Sequence, residues 1–209
     1  MTTAIVIGGT GLVGSHLVKQ LSHPTSSFSR VFLIARNAKK LDLSSEASAK
    51  ITPIEVPDFD SVFGKAGDQA SILTKLEQGP THAFCCLGTT HAKAGSFEGF
   101  RKVDHDYVVG FGRLCLAIQS EFDNSLKSFS LVSSAQANAS SWMPYLKVKG
   151  ETDSEISALL SSKVDKVNIL RPGMLKYPFG SAESRKETRL FEQFLIKIDP
   201  LLEWVGPEL

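Results

Sequence analysis

Tyr145 and Lys149 stand one helical turn apart in Tyr145-Leu146-Lys147-Val148-Lys149, and Ser133-Ser134 precedes them at the end of the apolar stretch Phe129-Ser130-Leu131-Val132. On a helix that spacing puts both side chains on one face, and a serine at the end of the preceding strand can reach the same pocket. An isolated tyrosine titrates at about 10, too high for proton exchange at neutral pH, but a neighbouring ammonium favours the phenolate and brings it down. Tyr145 then becomes a usable acid or base. Ser134 would hydrogen-bond the oxygen on which charge develops, with Ser133 as the fallback for that role. A packed tyrosine beside a solvated lysine is the alternative, and the elements around the set must decide between them.

The first such element is Gly8-Gly9-Thr10-Gly11-Leu12-Val13-Gly14, which follows the apolar run Ala4-Ile5-Val6-Ile7 and precedes the helical pattern Leu12, Val13, Leu17, Val18, Leu21. Strand, glycine turn and helix in that order let a backbone turn sharply, approach a pyrophosphate and pack a helix tightly on its strand. The free N–H groups of the turn and the helix N-terminus then face an anion. Gly8, Thr10, Gly11, Leu12, Val13 and Gly14 are therefore the expected dinucleotide-binding residues. With an oxidised nicotinamide beside it, Tyr145 would be favoured further as phenolate, and Lys149 would also hold the nicotinamide ribose.

Val31 to Ala35 is too continuously apolar for a half-exposed strand and reads as a second strand buried in a parallel sheet. The residue ending that strand meets the adenosine ribose in dinucleotide folds; an acid there selects the free 2′-OH, and an arginine accommodates a 2′-phosphate. Arg36 holds the position with no acid beside it, and Lys39 or Lys40 could add charge, so NADP(H) is preferred over NAD(H). A solvated basic turn is the alternative. Asp58, after a third strand over 51–56, could accept from the adenine amino group or cap a helix.

A short helix is expected over 69–76. A fourth strand, Ala83 to Leu87, runs into Gly88-Thr89-Thr90, placing Leu87, Gly88 and Thr89 at the sheet edge that would touch the second ribose. The stripe Phe97, Phe100, Tyr107, Phe111, Leu114, Cys115, Ile118, Phe122 predicts one long helix, with Asp104 and His105 in its polar interruption and His105 at the surface. A sixth strand ends in Arg171-Pro172-Gly173, a turn suited to lie over a nicotinamide, unless Arg171 is only an ion-pair partner. Phe191 to Leu202 form an amphipathic stripe that packs on the sheet, on a second subunit as a homodimer, or on a membrane surface.

A chain of 209 residues with 42% hydrophobic content suits one globular domain, and a formal net charge of +1 argues against nucleic acid or an anionic surface as partner. Among its 3 cysteines, Cys85, Cys86 and Cys115, there is no C-x-x-C spacing, and adjacent strand cysteines point to opposite faces. They read as buried thiols, and no metal site is expected. With no long apolar run and a first strand beginning at Ala4, the expected location is cytoplasmic, with peripheral attachment to an organelle membrane as the alternative.

Taken together, Gly8/Gly11/Gly14, Ser134/Tyr145/Lys149 and Arg171-Pro172-Gly173 resemble the short-chain dehydrogenase/reductase superfamily. Cys85-Cys86-Leu87-Gly88-Thr89-Thr90, Lys93-Ala94-Gly95, Val103-Asp104, the segment from Tyr145 to Glu151 and Glu183-Ser184-Arg185 resemble its atypical, extended-like members related to the Tat-interactive-protein oxidoreductases. The resemblance implies an α/β fold with a Rossmann-type doubly wound parallel sheet, a single domain over 1–209, and a short lid or helical tail over 174–209. It implies NADPH at the carboxyl edge and a reductase or dehydrogenase acting on a small carbonyl or alcohol. Some relatives also regulate protein partners, so an NADPH-binding regulatory module with little catalysis is the alternative. Asp104 stands where many extended members carry an asparagine that helps a proton relay, and that role is not carried over to it.

Overall fold

The computed structural model describes residues 1–41, 43–64, 67–123 and 125–173. The tail expected to form a lid and an amphipathic helix over 174–209 lies outside the described residues.

Six strands build one sheet: β1 (Thr2–Ile7), β2 (Phe28–Ala35), β3 (Ile51–Glu55), β4 (His82–Cys85), β5 (Ser128–Val132) and β6 (Lys166–Leu170). Every adjacent pair is parallel, and the order is β3-β2-β1-β4-β5-β6. The chain leaves β1 toward one edge, returns across the sheet, and continues from β4 toward the other. A crevice opens between β1 and β4 at their carboxyl ends, where the strand order reverses. This is the Rossmann-type doubly wound sheet that the strand and glycine pattern predicts.

Continuous apolar strands follow from burial on both faces. Ile5, Ile7, Phe32 and Ile34 point to one side, where they meet Phe111, Leu114 and Ile118 of α7 (Tyr107–Glu121) and Ile156 and Leu160 of α8 (Pro144–Leu160). Their sequence neighbours Ala4, Val6, Val31 and Leu33 point to the other, against Val18 and Leu21 of α1 (Leu12–Ser22). The period of two along each strand thus fills two cores at once.

The connections add a short helix before β3 and differ from the expectations in two places. The polar stretch before β3 contains a short helix, α2 (Ser45–Ala49), capped by Ser44 Oγ accepting from Ala47 N. The helix expected over 69–76 is one turn, α4 (Ala70–Leu73), following α3 (Asp60–Phe63); Ile72 and Leu76 are nevertheless buried as the pattern requires. The long helix expected from Phe97 to Phe122 follows α5 (His91–Ala94) but is broken into α6 (Phe97–Arg101), a π-helical turn (Lys102–Asp106) and α7. Such a turn adds a residue to the helical repeat and rotates the side chains that follow it. His105, expected at the surface, is therefore buried, and its ring meets Asp106 at 2.9 Å and Glu155 at 3.1 Å. The apolar stripe continues on both sides of the turn, which is why the sequence pattern reads as one helix.

Phe111 is fully buried, with its ring 6.3 Å from Phe63 and 5.7 Å from Phe129. Truncation there removes contacts to both a flanking helix and the sheet. Phe111→Ala is expected to lower the unfolding free energy by about 3–5 kcal/mol, measured by urea denaturation; a loss below about 1 kcal/mol would show that this core collapses around the void.

Candidate functional site

The glycine turn is held in its shape by close backbone approach. Gly8 has φ +76°, and a Cβ on it would lie 2.5 Å from the Cys86 carbonyl carbon, so the turn presses on the chain leaving β4. A Cβ on Gly14 would overlap the Gly8 carbonyl oxygen, so α1 lies directly on the turn. Gly11 N donates to Gly8 O at 3.1 Å, and α1 begins at Leu12 with no side-chain cap and no acid in its first turn. Thr10 and Gly11 are exposed at the tip, with Leu12 and Val13 half-buried behind them. A cradle that a Cβ would fill, ending at an uncapped helix N-terminus, is chemically matched to a pyrophosphate.

At the end of β2, Arg36 is exposed, and its guanidinium carbon lies 5.4 Å from the centre of the Phe59 ring. Phe59 is fixed edge-on to Phe63 at 5.7 Å and Tyr107 at 5.8 Å, so the arginine rests on a rigid aromatic support. No carboxylate pairs with Arg36 among the described residues. Asp58 Oδ1 accepts from Ser61 N at 2.8 Å, so one of its oxygens caps the first turn of α3. That realises the capping half of its expected roles.

Leu87, Gly88 and Thr89 follow β4 in an irregular stretch; Leu87 is buried, Gly88 exposed and Thr89 half-buried. Thr89 N donates to Asp104 Oδ2 at 2.8 Å, and Lys149 Nζ donates to Asp104 Oδ1 at 3.0 Å. Asp104 is 1% and Lys149 5% exposed. Thr152 Oγ1 donates to the Asp104 carbonyl oxygen at 3.0 Å, closing the connection between the π-helical turn and α8. Asp104 is thus the member of this site that the sequence reasoning missed. An acid inside an otherwise apolar helical stripe was the available signal, because a buried carboxylate needs a buried partner.

Tyr145 sits one turn before Lys149 on α8, half-exposed, with its ring 5.4 Å from that of Phe100. Ser133 follows β5 directly with a buried Oγ that has no hydrogen-bond partner, and Ser134 beside it is more open. The loop carrying them is pulled against α8: Asn138 N donates to Leu146 O at 3.1 Å, and a Cβ on Gly150 would overlap the backbone of Asn138 and Ala139. The structure thereby brings the β5 serines, α8 and the β4 edge to one end of the sheet.

Arg171 Nε donates to Asp153 Oδ2 at 2.9 Å, tying the end of β6 to α8 and realising the ion-pair alternative. Pro172 O accepts from Ala135 N at 2.9 Å, so this turn borders the serine loop. Burial pushes the Cys85 thiol up to about 12 and the Cys86 thiol up to about 11, and holds Cys115 well above the ordinary thiol value. Such thiols are inert packing groups, and no cluster able to hold a metal ion occurs among the described residues.

No family model matches the chain. The backbone is that of the short-chain dehydrogenases, reductases and epimerases. It aligns with the RhlG/NADP active-site complex of Pseudomonas aeruginosa at TM-score 0.65 and 20% identity, over 90% of this chain and 76% of that one. It aligns with UDP-glucuronic acid 4-epimerase from Bacillus cereus in complex with NAD at TM-score 0.61 and 15% identity, over 92% of this chain and 63% of that one. At those identities the likeness is one of fold. Sequence kinship is closer. Protein HTATIP2 of Rattus norvegicus is 36% identical over 173 residues, 83% of this chain and 62% of its own length. Protein fmp52-1, mitochondrial, of Aspergillus terreus is 34% identical over 193 residues, 92% of this chain and 72% of its own length. The chain belongs to this HTATIP2/FMP52 family, the Tat-interactive-protein type of atypical short-chain dehydrogenase/reductase. It spans 62% and 66% of HTATIP2 and of the Kluyveromyces lactis FMP52 protein, just under two thirds of each.

The expected cytoplasmic location does not stand. FMP52 relatives from Kluyveromyces lactis, Aspergillus terreus and Candida glabrata are named mitochondrial. Compartment is set by an address that an import receptor reads, and the composition of a folded domain does not encode it. No helix among the described residues is long and apolar enough to cross a membrane.

Burial holds the Asp104 carboxyl above its ordinary value of 3.8, against the opposing pull of Lys149 and the Thr89 N–H. A carboxyl whose folded value is raised contributes its stability in full below the ordinary value and loses it as pH rises through the raised one. Removing Lys149 takes away the largest downward pull and extends that window upward. Lys149→Met is therefore expected to destabilise the fold by about 3–5 kcal/mol at pH ~8, because it leaves a buried carboxylate unpaired. Denaturant unfolding at pH ~5 should show a smaller deficit; equal deficits at both pH values would disprove the coupling.

Proposed function

We propose that this protein is an NADP-dependent oxidoreductase that interconverts a carbonyl compound and the corresponding alcohol, with Tyr145 as the acid/base. The observation that carries the proposal is the buried Lys149 ammonium, held by Asp104 one turn from Tyr145, while the other Asp104 oxygen holds the Thr89 backbone at the cofactor edge. A structural lysine on a solvated helix face would have neither the burial nor the link to that edge. Kinship with a mitochondrially named branch favours the mitochondrion as the place of action.

The cofactor fits the residues present. Gly8 to Gly14 would receive the pyrophosphate, with Arg36 on Phe59 meeting the 2′-phosphate and Asp58 beside the adenine. Leu87, Gly88, Thr89 and Pro172 would border the nicotinamide half. Bound NADPH supplies a hydride to the carbonyl carbon. Tyr145 gives its hydroxyl proton to the carbonyl oxygen, so that C=O becomes CH–OH, and the phenolate recovers a proton from water. Ser134 donates a hydrogen bond to the same oxygen and lowers the cost of the charge it gains.

Lys149 keeps donor capacity beyond its bond to Asp104, because an ammonium has three N–H groups. One can be spent on a ribose hydroxyl while the charge stays one turn from Tyr145. Asp104 fixes where that charge sits.

Two measurements test the proposal. Tyr145→Phe is expected to lose about 10²–10⁴-fold in kcat on a carbonyl panel while NADPH still binds; equal turnover in both proteins would end the acid/base assignment. Arg36→Glu is expected to weaken NADPH about 10- to 100-fold and NADH much less, read by fluorescence titration. Equal losses for the two cofactors would remove Arg36 from the 2′-phosphate site.

A further inference from the structure

The first turn of α8 and the face of α6 meet in an aromatic surface for which neither the fold nor the cofactor site gives a reason. The Phe100 ring is 2% exposed because Tyr145 covers it at 5.4 Å and Phe97 flanks it at 6.4 Å. Phe97 is itself 38% exposed, and Trp142, three residues ahead of Tyr145, is 84% exposed. A tryptophan left this open forgoes several tenths of the burial that normally justifies the residue. The aromatic surface is continuous with the ring whose hydroxyl is the proposed proton donor.

Among the described residues of α6 and α8, the charged groups nearby do not offer an anion site. Arg101 of α6 is paired with Glu151 of α8, so the guanidinium facing this region is already neutralised. Met143 at the head of α8 makes no side-chain cap, and Pro144 in the first turn removes one of the N–H groups that would otherwise attract an anion. Glu98 and Lys147 are solvated charges of opposite sign. A diphosphate-bearing substrate would find little fixed positive charge here, whereas a hydrocarbon chain or ring would find rigid apolar faces.

We infer that the substrate half of the site takes an uncharged apolar carbonyl compound, a medium-chain or aryl aldehyde or ketone, laid on the exposed Phe97 and Tyr145 rings that the buried Phe100 backs, with the exposed Trp142 just ahead of α8 as a further contact. The inference rests on the reductase reading for the carbonyl and on the aromatic surface for the apolar tail. Substrates with longer tails gain affinity in proportion to the carbon they bury.

The test uses the 209-residue chain with NADPH and straight-chain aldehydes from propanal to decanal, with benzaldehyde as the aryl member and 4-carboxybenzaldehyde as the charged control. Each buried methylene should raise kcat/KM by about two- to fourfold. Trp142→Ala and Phe97→Ala should each lower the decanal-to-propanal ratio by about tenfold, with thermal melts confirming that the variants fold. A second arm replaces the other tryptophan, Trp204, by phenylalanine, leaving Trp142 as the reporter, and titrates 1-decanol against 1-propanol without turnover.

A chain-length slope that both variants flatten supports the inference. Turnover with no slope, or turnover on 4-carboxybenzaldehyde in preference to benzaldehyde and decanal, overturns it and leaves the reductase standing. No turnover on any aldehyde, with Trp142 fluorescence still shifted by decanol and unmoved by propanol, removes the reductase reading and keeps the apolar site. Silence in both arms ends both.

Discussion

The buried pair between Lys149 and Asp104 is the constraint to which the remainder of the site is fitted. Taking an ammonium and a carboxylate out of water costs several kcal/mol for each ion, and the attraction between them repays it only where the remaining polar groups are also satisfied. Here they are. Both Asp104 oxygens accept, from Lys149 Nζ and Thr89 N, and its carbonyl accepts from Thr152 Oγ1. Three separate segments are thereby fixed to one another: the chain leaving β4, the π-helical turn and α8. The irregular turn follows from the same demand, since a regular helix through Lys102–Asp106 would not present Asp104 to α8 while also burying His105 against Glu155.

Close backbone approach is the second constraint, and it explains why glycine recurs where chemistry is expected. At Gly8 the left-handed φ and the contact with the chain after β4 both exclude a side chain. At Gly150 no unusual φ is involved; the serine loop simply lies so near α8 that a Cβ has no room. One glycine brings the glycine turn to the sheet edge and the other brings the serines to the tyrosine helix. The two halves of the site are therefore assembled by the same physical device, on opposite sides of the β1/β4 crevice.

Most of the fold was legible in the sequence because burial on both faces of a parallel sheet leaves an unambiguous mark, five or six apolar residues in succession, as at Val31 to Ala35. The glycine turn was legible because its spacing is dictated by local geometry. What escaped depended on tertiary pairing. His105 read as a surface residue because its partner Glu155 lies on a different helix and no local pattern announces it. Asp104 was set aside because its type departed from the asparagine of related chains, yet only a carboxylate can pair a buried ammonium here. The break at 102–106 was invisible because the apolar stripe keeps its period on either side, and Asp153 was one further step along the very spacing that picked out Tyr145 and Lys149.

That spacing gives α8 its meaning. Tyr145, Lys149 and Asp153 follow at one-turn intervals, and their exposure falls from 43% to 5% to 3% along the helix. A single face of the helix thus passes from open solvent to the interior within two turns. A proton-transfer group belongs at the wet end, where it can meet substrate and be recharged by water. An ammonium that is to act on that group without being screened belongs in the drier middle. The last position, deepest, carries the Arg171 pair that holds the end of β6 in place. The order of the three residues along α8 is the order of dryness that the proposed tasks call for, and one helix face supplies all three environments from one regular repeat.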